Sequence, residues 1–358
     1  MVSIFTGGEF IMTGYERTIA ALNREHTDRP PFDFWAEDAT LNRIFAYIGH
    51  NDLERFLDDM KIDIRALRAG EPESKRLENG VFQNMWGERF VYKETGWGEM
   101  REDTYGALYN AKSIDELMSF PWPDNDVMDY SKLREQCREA RDKNLAVRYG
   151  FADIWQRPGL VRGMENHLAD MAINPDWVHY LSRVFTDFYI EEYRRAWEAS
   201  EGNIDIFLVI SDLGSQRGPL ISVSMFNKFI APYLAETAEV IHGFGAKVML
   251  HSCGNIASFI PAFIDCGVDI LNPIQPVSAE MSPESLKWFS GKICFHGGID
   301  VQRLIPMGTT DEIKREARRY ADIFGAGYIV CPAHFFQPDT PPENIIALYQ
   351  AFEQIGAD

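Results

Sequence analysis

From about residue 143 onward the chain alternates short apolar runs with amphipathic stretches, and no other feature limits its fold so strongly. The pattern predicts strands at 145–149, 204–210, 247–250, 268–271, 293–296 and 328–330. Around them it predicts helices over 160–172, 176–200, 224–244, 256–265, 310–323 and 342–354. Apolar strands separated by one-sided helices call for a parallel sheet with helices packed on it, since the crossover that joins two parallel strands is usually a helix. Residues 32–35 and a weaker run near 62 bring the strand count to about eight. Eight units favour an α/β fold of the (β/α)₈ TIM-barrel type over an open doubly wound sheet, and they place the chemistry in the loops after the strands' C-terminal ends. Neither GxGxxG nor GxxxxGK[ST] occurs, which removes support for dinucleotide and P-loop sites.

The part before residue 143 reads differently. Thr13 with Glu16 three positions later opens a helix over 13–26, and Arg29-Pro30-Pro31 ends it. Residues 52–66 suggest a helix and a short strand, and 81–106, with alternating aromatics and regular glycines, reads as a β-meander. We therefore expect one barrel domain over 12–358 with an N-terminal helical and β-meander excursion, a peripheral insertion at about 67–125, and a flexible arm at 1–11 that lacks caps and period.

Charge narrows the partners. With 35 Lys and Arg against 54 Asp and Glu, a net charge of −19, the chain has no basic run for phosphates, so neither nucleic acid nor an anionic membrane is an expected partner. No apolar stretch approaches the roughly 18 residues of a membrane span. Five cysteines, an odd number, and an N-terminus without a charged segment followed by an apolar one point to a cytoplasmic protein with free or metal-bound thiols.

Two strand ends carry metal-binding residue types. After the strand at 247–250 comes His251-Ser252-Cys253-Gly254-Asn255, and side chains two apart in a strand share a side. The last strand runs into Cys331-Pro332-Ala333-His334. Imidazole and thiolate suit Zn²⁺, and three protein ligands with an open position would mark a catalytic site, four a structural one. A lone cysteine at a strand end is more often a small buried hydrophobe, so the weight lies on two such pairs at analogous places.

The runs MTGYERTIAALNREHTDRPP, SDLGSQRGPLIS, HSCGN, DILNPIQP, HGGID and PDTPPENIIALYQAFE together resemble the uroporphyrinogen decarboxylase superfamily, most of all its cobalamin-dependent methyltransferase branch. That resemblance implies a barrel and, in the methyltransferase branch, a zinc held by His-x-Cys and a later Cys. It also implies an acceptor thiol that takes a methyl group from a methyl-corrinoid on a separate carrier protein. His251 and Cys253 match the His-x-Cys. For the third ligand Cys331 has the right chemistry, whereas counting back from Thr340-Pro341 gives His334. A porphyrinogen decarboxylase would carry an arginine-rich motif after the first proline segment to meet its polyanionic substrate. Here Phe32-Asp33-Phe34-Trp35-Ala36-Glu37-Asp38 stands instead.

The expected function is thus a zinc-dependent methyltransferase moving a methyl group between a corrinoid and a thiol or reduced folate, with a homodimer left open. The alternative is a metal-free decarboxylase or lyase in the same barrel, with Asp212 and His334 handling protons. Glu37 could complete the zinc sphere or manage the acceptor's proton, or simply begin a helix. Asp212, Gln216 and Arg217 follow an apolar strand and could meet a ligand or cap a loop. Asn272 and Gln275 offer amides to a pterin, corrin side chain or methyl donor, although Asn beside Pro also builds turns. His296-Gly297-Gly298 permits close backbone approach. Trp35 and Trp155 belong to the core or wall a planar cofactor.

Overall fold

The computed structural model describes residues 11–96 and 98–355; the expected arm at 1–11 lies outside these apart from Ile11. Eleven strands occur among them: β1 (Ile64–Leu67), β2 (Lys75–Arg76), β3 (Phe82–Gln83), β4 (Arg89–Thr95), β5 (Gly98–Tyr105), β6 (Ala146–Asp153), β7 (Ile206–Ile210), β8 (Lys247–His251), β9 (Ile270–Asn272), β10 (Cys294–His296) and β11 (Tyr328–Ile329). Seven of them form a parallel sheet in the order β1-β6-β7-β8-β9-β10-β11. Residues 31–33 close it. Asp33 N–H donates to Val330 O (2.9 Å), Val330 N–H to Pro31 O (2.8 Å), and on the other side Asp63 N–H to Phe32 O (2.9 Å). This closing stave is only a parallel bridge, Phe32 to Val330, because Pro30 and Pro31 have no N–H to extend the ladder. The result is a closed barrel with eight staves.

Alternate residues of the staves face inward. Ile64, Ala146, Ile206, Leu208, Met249, Ile270, Cys294 and Ile329 pack together in the bore, a filled core and not a pore. The lower end is stoppered by the helix Gly14–Leu22, whose Ile19 and Leu22 join that cluster. Thr13 and Glu16 form the expected capping box, and Tyr15 N–H reaches Asn144 O at the foot of β6 (2.6 Å). Buried charges lock the stopper: Asp63 pairs with Arg17 (2.6 Å) and Arg29 (2.7 Å), and Arg17 also with Asp28 (2.6 Å). The first of the recognisable runs is therefore structural, a plug at the opposite end from the strand termini.

Helix boundaries follow backbone chemistry. The segment expected as one helix over 160–172 divides into Gln156–Arg162 and Met164–Ile173 at Gly163, whose φ is 83°. That expected over 224–244 divides into Val223–Phe229 and Ala231–Gly243, because Pro232 cannot donate into the preceding turn. The long helix Pro175–Ala199 packs outside and also carries the excursion. Strands β2-β3-β4-β5 form a separate antiparallel sheet, and the nearby Trp86 is buried against Phe185 and Phe188 of that helix, both at 4.6 Å between ring centroids. Among the described residues no helix is long and apolar enough to cross a membrane.

Candidate metal centre

The C-terminal ends of the strands bring the candidate residues together. His251 is the last residue of β8, and Cys253, two further on, leaves on the same side; its Sγ lies 3.4 Å from His251 Nε2. His334 arrives from the loop after β11. One ligand atom from each of His251, Cys253 and His334 lies within 4.8 Å of the others. Asp212, after β7, stands beside them: its Oδ1 accepts the Cys253 N–H (2.7 Å) and lies 3.6 Å from His251 Nε2, while its Oδ2 accepts from Gln156 Nε2 (2.9 Å).

Two glycines make this geometry feasible. A Cβ on Gly254, whose φ is 84°, would sit 2.4 Å from the Gly214 carbonyl carbon, and one on Gly214 would sit 2.6 Å from Cys253 O. The loops after β7 and β8 therefore touch backbone to backbone, joined by Asn255 N–H donating to Ser215 O (2.8 Å). Gln275 braces the same loop from β9 by accepting the Gly254 N–H at 2.7 Å.

Behind His251 runs a buried relay. His251 Nδ1 meets Asn272 Oδ1 (2.5 Å), Asn272 Nδ2 meets His296 Nδ1 (2.6 Å), and His296 Nε2 meets Asp33 Oδ2 (3.0 Å). Donor and acceptor roles fix its direction. A carboxylate at the far end accepts from His296 Nε2–H, so His296 Nδ1 accepts from the Asn272 amide, whose oxygen in turn accepts from His251 Nδ1–H. His251 Nε2 is left as a bare lone pair facing Cys253 Sγ. Asp33 also accepts from Arg148 Nε (3.1 Å) and Trp35 Nε1 (2.8 Å). Burial alone would raise its pKa, but Arg148, His296 and Trp35 outweigh it and hold the carboxyl well below the usual range. For His296, burial wins over the Asp33 contact and lowers the pKa, consistent with a neutral ring.

The donor set suits a thiophilic cation. Burial and the neighbouring Asp212 carboxylate push the Cys253 thiol well above its ordinary pKa, so a positive charge is what would make a thiolate stable there. Burial, reinforced by His251, lowers the pKa of His334 and favours its neutral, ligating form.

Other expected residues are distributed around this group. Cys331 lies in a second group, with Asp33 and His296 at the far end of the relay, and burial pushes its thiol far up. Trp35 stacks on His251, ring centroids 5.8 Å apart. Trp155 is buried against His167 (5.0 Å). Gln216 and Arg217 are exposed in a turn where Arg217 N–H donates to Ser215 Oγ (3.2 Å). Glu37 is exposed at the start of the helix Asp38–Ile48 and is not in either candidate ligand group. Cys253 and His334 open on a cavity of about 340 Å³ lined also by Gln275, Asp300 and Gln337. Asp33 and Arg148 were not singled out from sequence. Their signal is period-two placement of a charge among inward-facing residues, which becomes visible only once the register is known.

Fold and site define a parallel α/β barrel with a His/Cys/His ligand group at its mouth. Residues 158–355 match the family described as Uroporphyrinogen decarboxylase (URO-D), and the chain belongs to that family. Among solved structures it is similar to a methyltransferase from Methanosarcina mazei, 16% identical, covering 96% of this chain and 99% of that one with a TM-score of 0.72. It is more distantly similar to a B12-independent methionine synthase from Shewanella sp. W3-18-1, 13% identical, covering 84% of each chain with a TM-score of 0.47. The first of these likenesses establishes the fold. No curated protein matches the chain.

Proposed function

We propose that this protein is a zinc-dependent methyltransferase that moves a methyl group between a corrinoid and a thiol or reduced folate. The observation that carries the proposal is the convergence of His251, Cys253 and His334 within 4.8 Å at the barrel mouth, with the His251 lone pair turned toward the thiol. His251, Cys253 and His334 would hold the ion, while Cys331 stays with the relay. Zinc bound there supplies a Lewis acid that makes an acceptor thiol nucleophilic near neutral pH.

The chain's own groups do the rest. Asn272 fixes the His251 ring and its tautomer, the outer-shell role that ligating histidines need. Asp212, held by Gln156, would receive the acceptor's proton on its carboxylate. The cavity beside Cys253 and His334 gives the acceptor access, and Gln275 and Asp300 line it. The corrinoid comes on a carrier protein that docks at the mouth.

The test is incubation of zinc-loaded protein with methylcobalamin and a panel of thiols and reduced folates while the cobalamin spectrum is followed. Acceptor-dependent demethylation, lost in Cys253→Ala, is the expected result. No demethylation with any acceptor, zinc being present, contradicts the proposal.

A further inference from the structure

The cavity of about 340 Å³ that opens on Cys253 and His334 has a one-sided polar lining: Asp300, Gln275, Gln302 and Gln337, with no Lys or Arg. Pairing of the strand ends puts Asp300 there. Ile299 forms a parallel bridge with Pro332, and Ala333 N–H donates to Ile299 O (2.8 Å), so the loop after β10 runs beside the loop that delivers His334. The half-buried Asp300 carboxylate accepts Gln302 N–H (2.8 Å) and Leu304 N–H (3.4 Å), and among the described residues it pairs with no cation. Backbone donors thus fix the carboxylate and leave each oxygen a lone pair for a ligand.

Charge on the metal side points the same way. A divalent ion held by one thiolate and two neutral imidazoles keeps one formal positive charge, and the Asp212 carboxylate beside Cys253 and His251 cancels it. Passing the acceptor's proton to Asp212 leaves that sum unchanged, so the centre has no positive charge to spare for a second anion. The charged groups that act on Cys253 and His334 are Asp212 and, for His334, His251; no Lys or Arg is among them. Arg217 and Arg303 of the neighbouring loops are exposed and do not line the cavity. An anionic group on the ligand would leave water here without a counter-charge, whereas a cationic one would meet Asp300.

We propose that the methyl acceptor is a small thiol whose far end is cationic, that Asp300 selects it, and that the cavity discriminates against acidic thiols. Calling this ligand the acceptor rests on the methyl-transfer reading above; the charge preference of the cavity does not. The glutamine amides serve as neutral walls, and Gln275, whose oxygen is taken by the Gly254 N–H (2.7 Å), also fixes the loop that carries Cys253.

The probes are thiocholine, whose quaternary cation cannot ligate zinc, neutral mercaptoethanol and anionic mercaptopropionate, each titrated calorimetrically into the zinc-loaded wild type and Asp300→Asn. Thiocholine should bind the wild type tightest and mercaptopropionate weakest, each step about threefold or more. Thiol acidity differs among the three, so the variant decides. Asn keeps an oxygen for the Gln302 N–H, and the advantage of thiocholine over mercaptoethanol should shrink by about threefold or more. Should the variant fail to fold, added salt applied to the wild type decides instead: relative to mercaptoethanol, thiocholine should weaken and mercaptopropionate strengthen. Absence of thiocholine binding, mercaptopropionate binding as tightly as thiocholine, or an unchanged thiocholine advantage in folded Asp300→Asn overturns the proposal. No step of this assay involves methyl transfer. The expected order in a protein that never demethylates methylcobalamin would refute the proposed function and leave the charge preference standing, whereas demethylation best supported by an acidic thiol would do the reverse.

Discussion

Asn272 is the residue whose removal tests the relay most severely. It is buried, and its amide serves two imidazoles at once, His251 Nδ1 at 2.5 Å and His296 Nδ1 at 2.6 Å. Asn272→Leu keeps the branching and the heavy-atom count of the side chain, with bulkier methyls in place of the amide, and strands both partners. At about 1–3 kcal/mol for each buried group left unsatisfied, the fold should lose about 2–6 kcal/mol. Zinc affinity should fall as well, by about 10–100-fold, since a ligating imidazole loses the partner that sets its orientation and tautomer. Asn272→Asp separates the two effects. It still accepts from His251 Nδ1–H but no longer donates to His296, so zinc affinity should stay closer to the wild type while stability drops. Affinity would be read by competition with a chromogenic chelator and stability by urea unfolding. If folded Asn272→Leu binds zinc as tightly as the wild type, the relay does not support the metal centre and the reasoning fails.

Buried carboxylates and close loop contacts elsewhere in the barrel give further expected outcomes. Burial pushes Glu192 up to about 7 from 4.5, against the hydrogen bond from Tyr149 (2.9 Å). The folded protein thus keeps a proton that the unfolded chain releases, and stability falls as pH rises from about 4.5 to about 7; Glu192→Gln should remove about 3 kcal/mol of that loss, measured as a thermal midpoint gain at pH 8 that is absent at pH 4. Asp153, raised to about 6 by burial, leaves a residual slope of the same sign. Asp63→Ala leaves Arg29 buried without a carboxylate and Arg17 with Asp28 alone, and should cost about 3–5 kcal/mol in urea unfolding, whereas a loss under about 1 kcal/mol would make the plug an ordinary surface pair. Gly254→Ala places a Cβ 2.4 Å from the Gly214 carbonyl carbon, so zinc content and thermal midpoint should both fall; wild-type values for both would contradict the close loop contact.

Much of this was legible in the sequence because it depends on local patterns. The apolar staves at 206–210, 247–251 and 294–296 show their burial in composition alone, and Thr13 with Glu16 announces a helix start. His251 and Cys253 could be paired because period-two alternation puts them on one side. What stayed hidden depends on closure of the barrel. Asp33 meets His296 across 263 residues of chain, and Cys331 falls beside them, not beside Cys253, only because of how the last stave registers with residues 31–33. Of the helix Asp38–Ile48 only the start at Glu37 was marked, and Leu133–Asp142 not at all: it is so polar, with only Leu133, Cys137 and Ala140 buried, that its apolar stripe is a single thin line. Gly214 and Gly254 look like ordinary turn glycines until the two loops are seen in contact.

X-ray absorption at the zinc edge, on protein purified with metal present, tests the centre most directly when Cys253→Ala and Cys331→Ala are compared with the wild type. One sulfur and two imidazoles should surround one zinc per chain, with the metal lost in Cys253→Ala and retained with the same spectrum in Cys331→Ala. A metal-free wild type, a shell without sulfur, or equal loss of zinc from both variants would contradict the account.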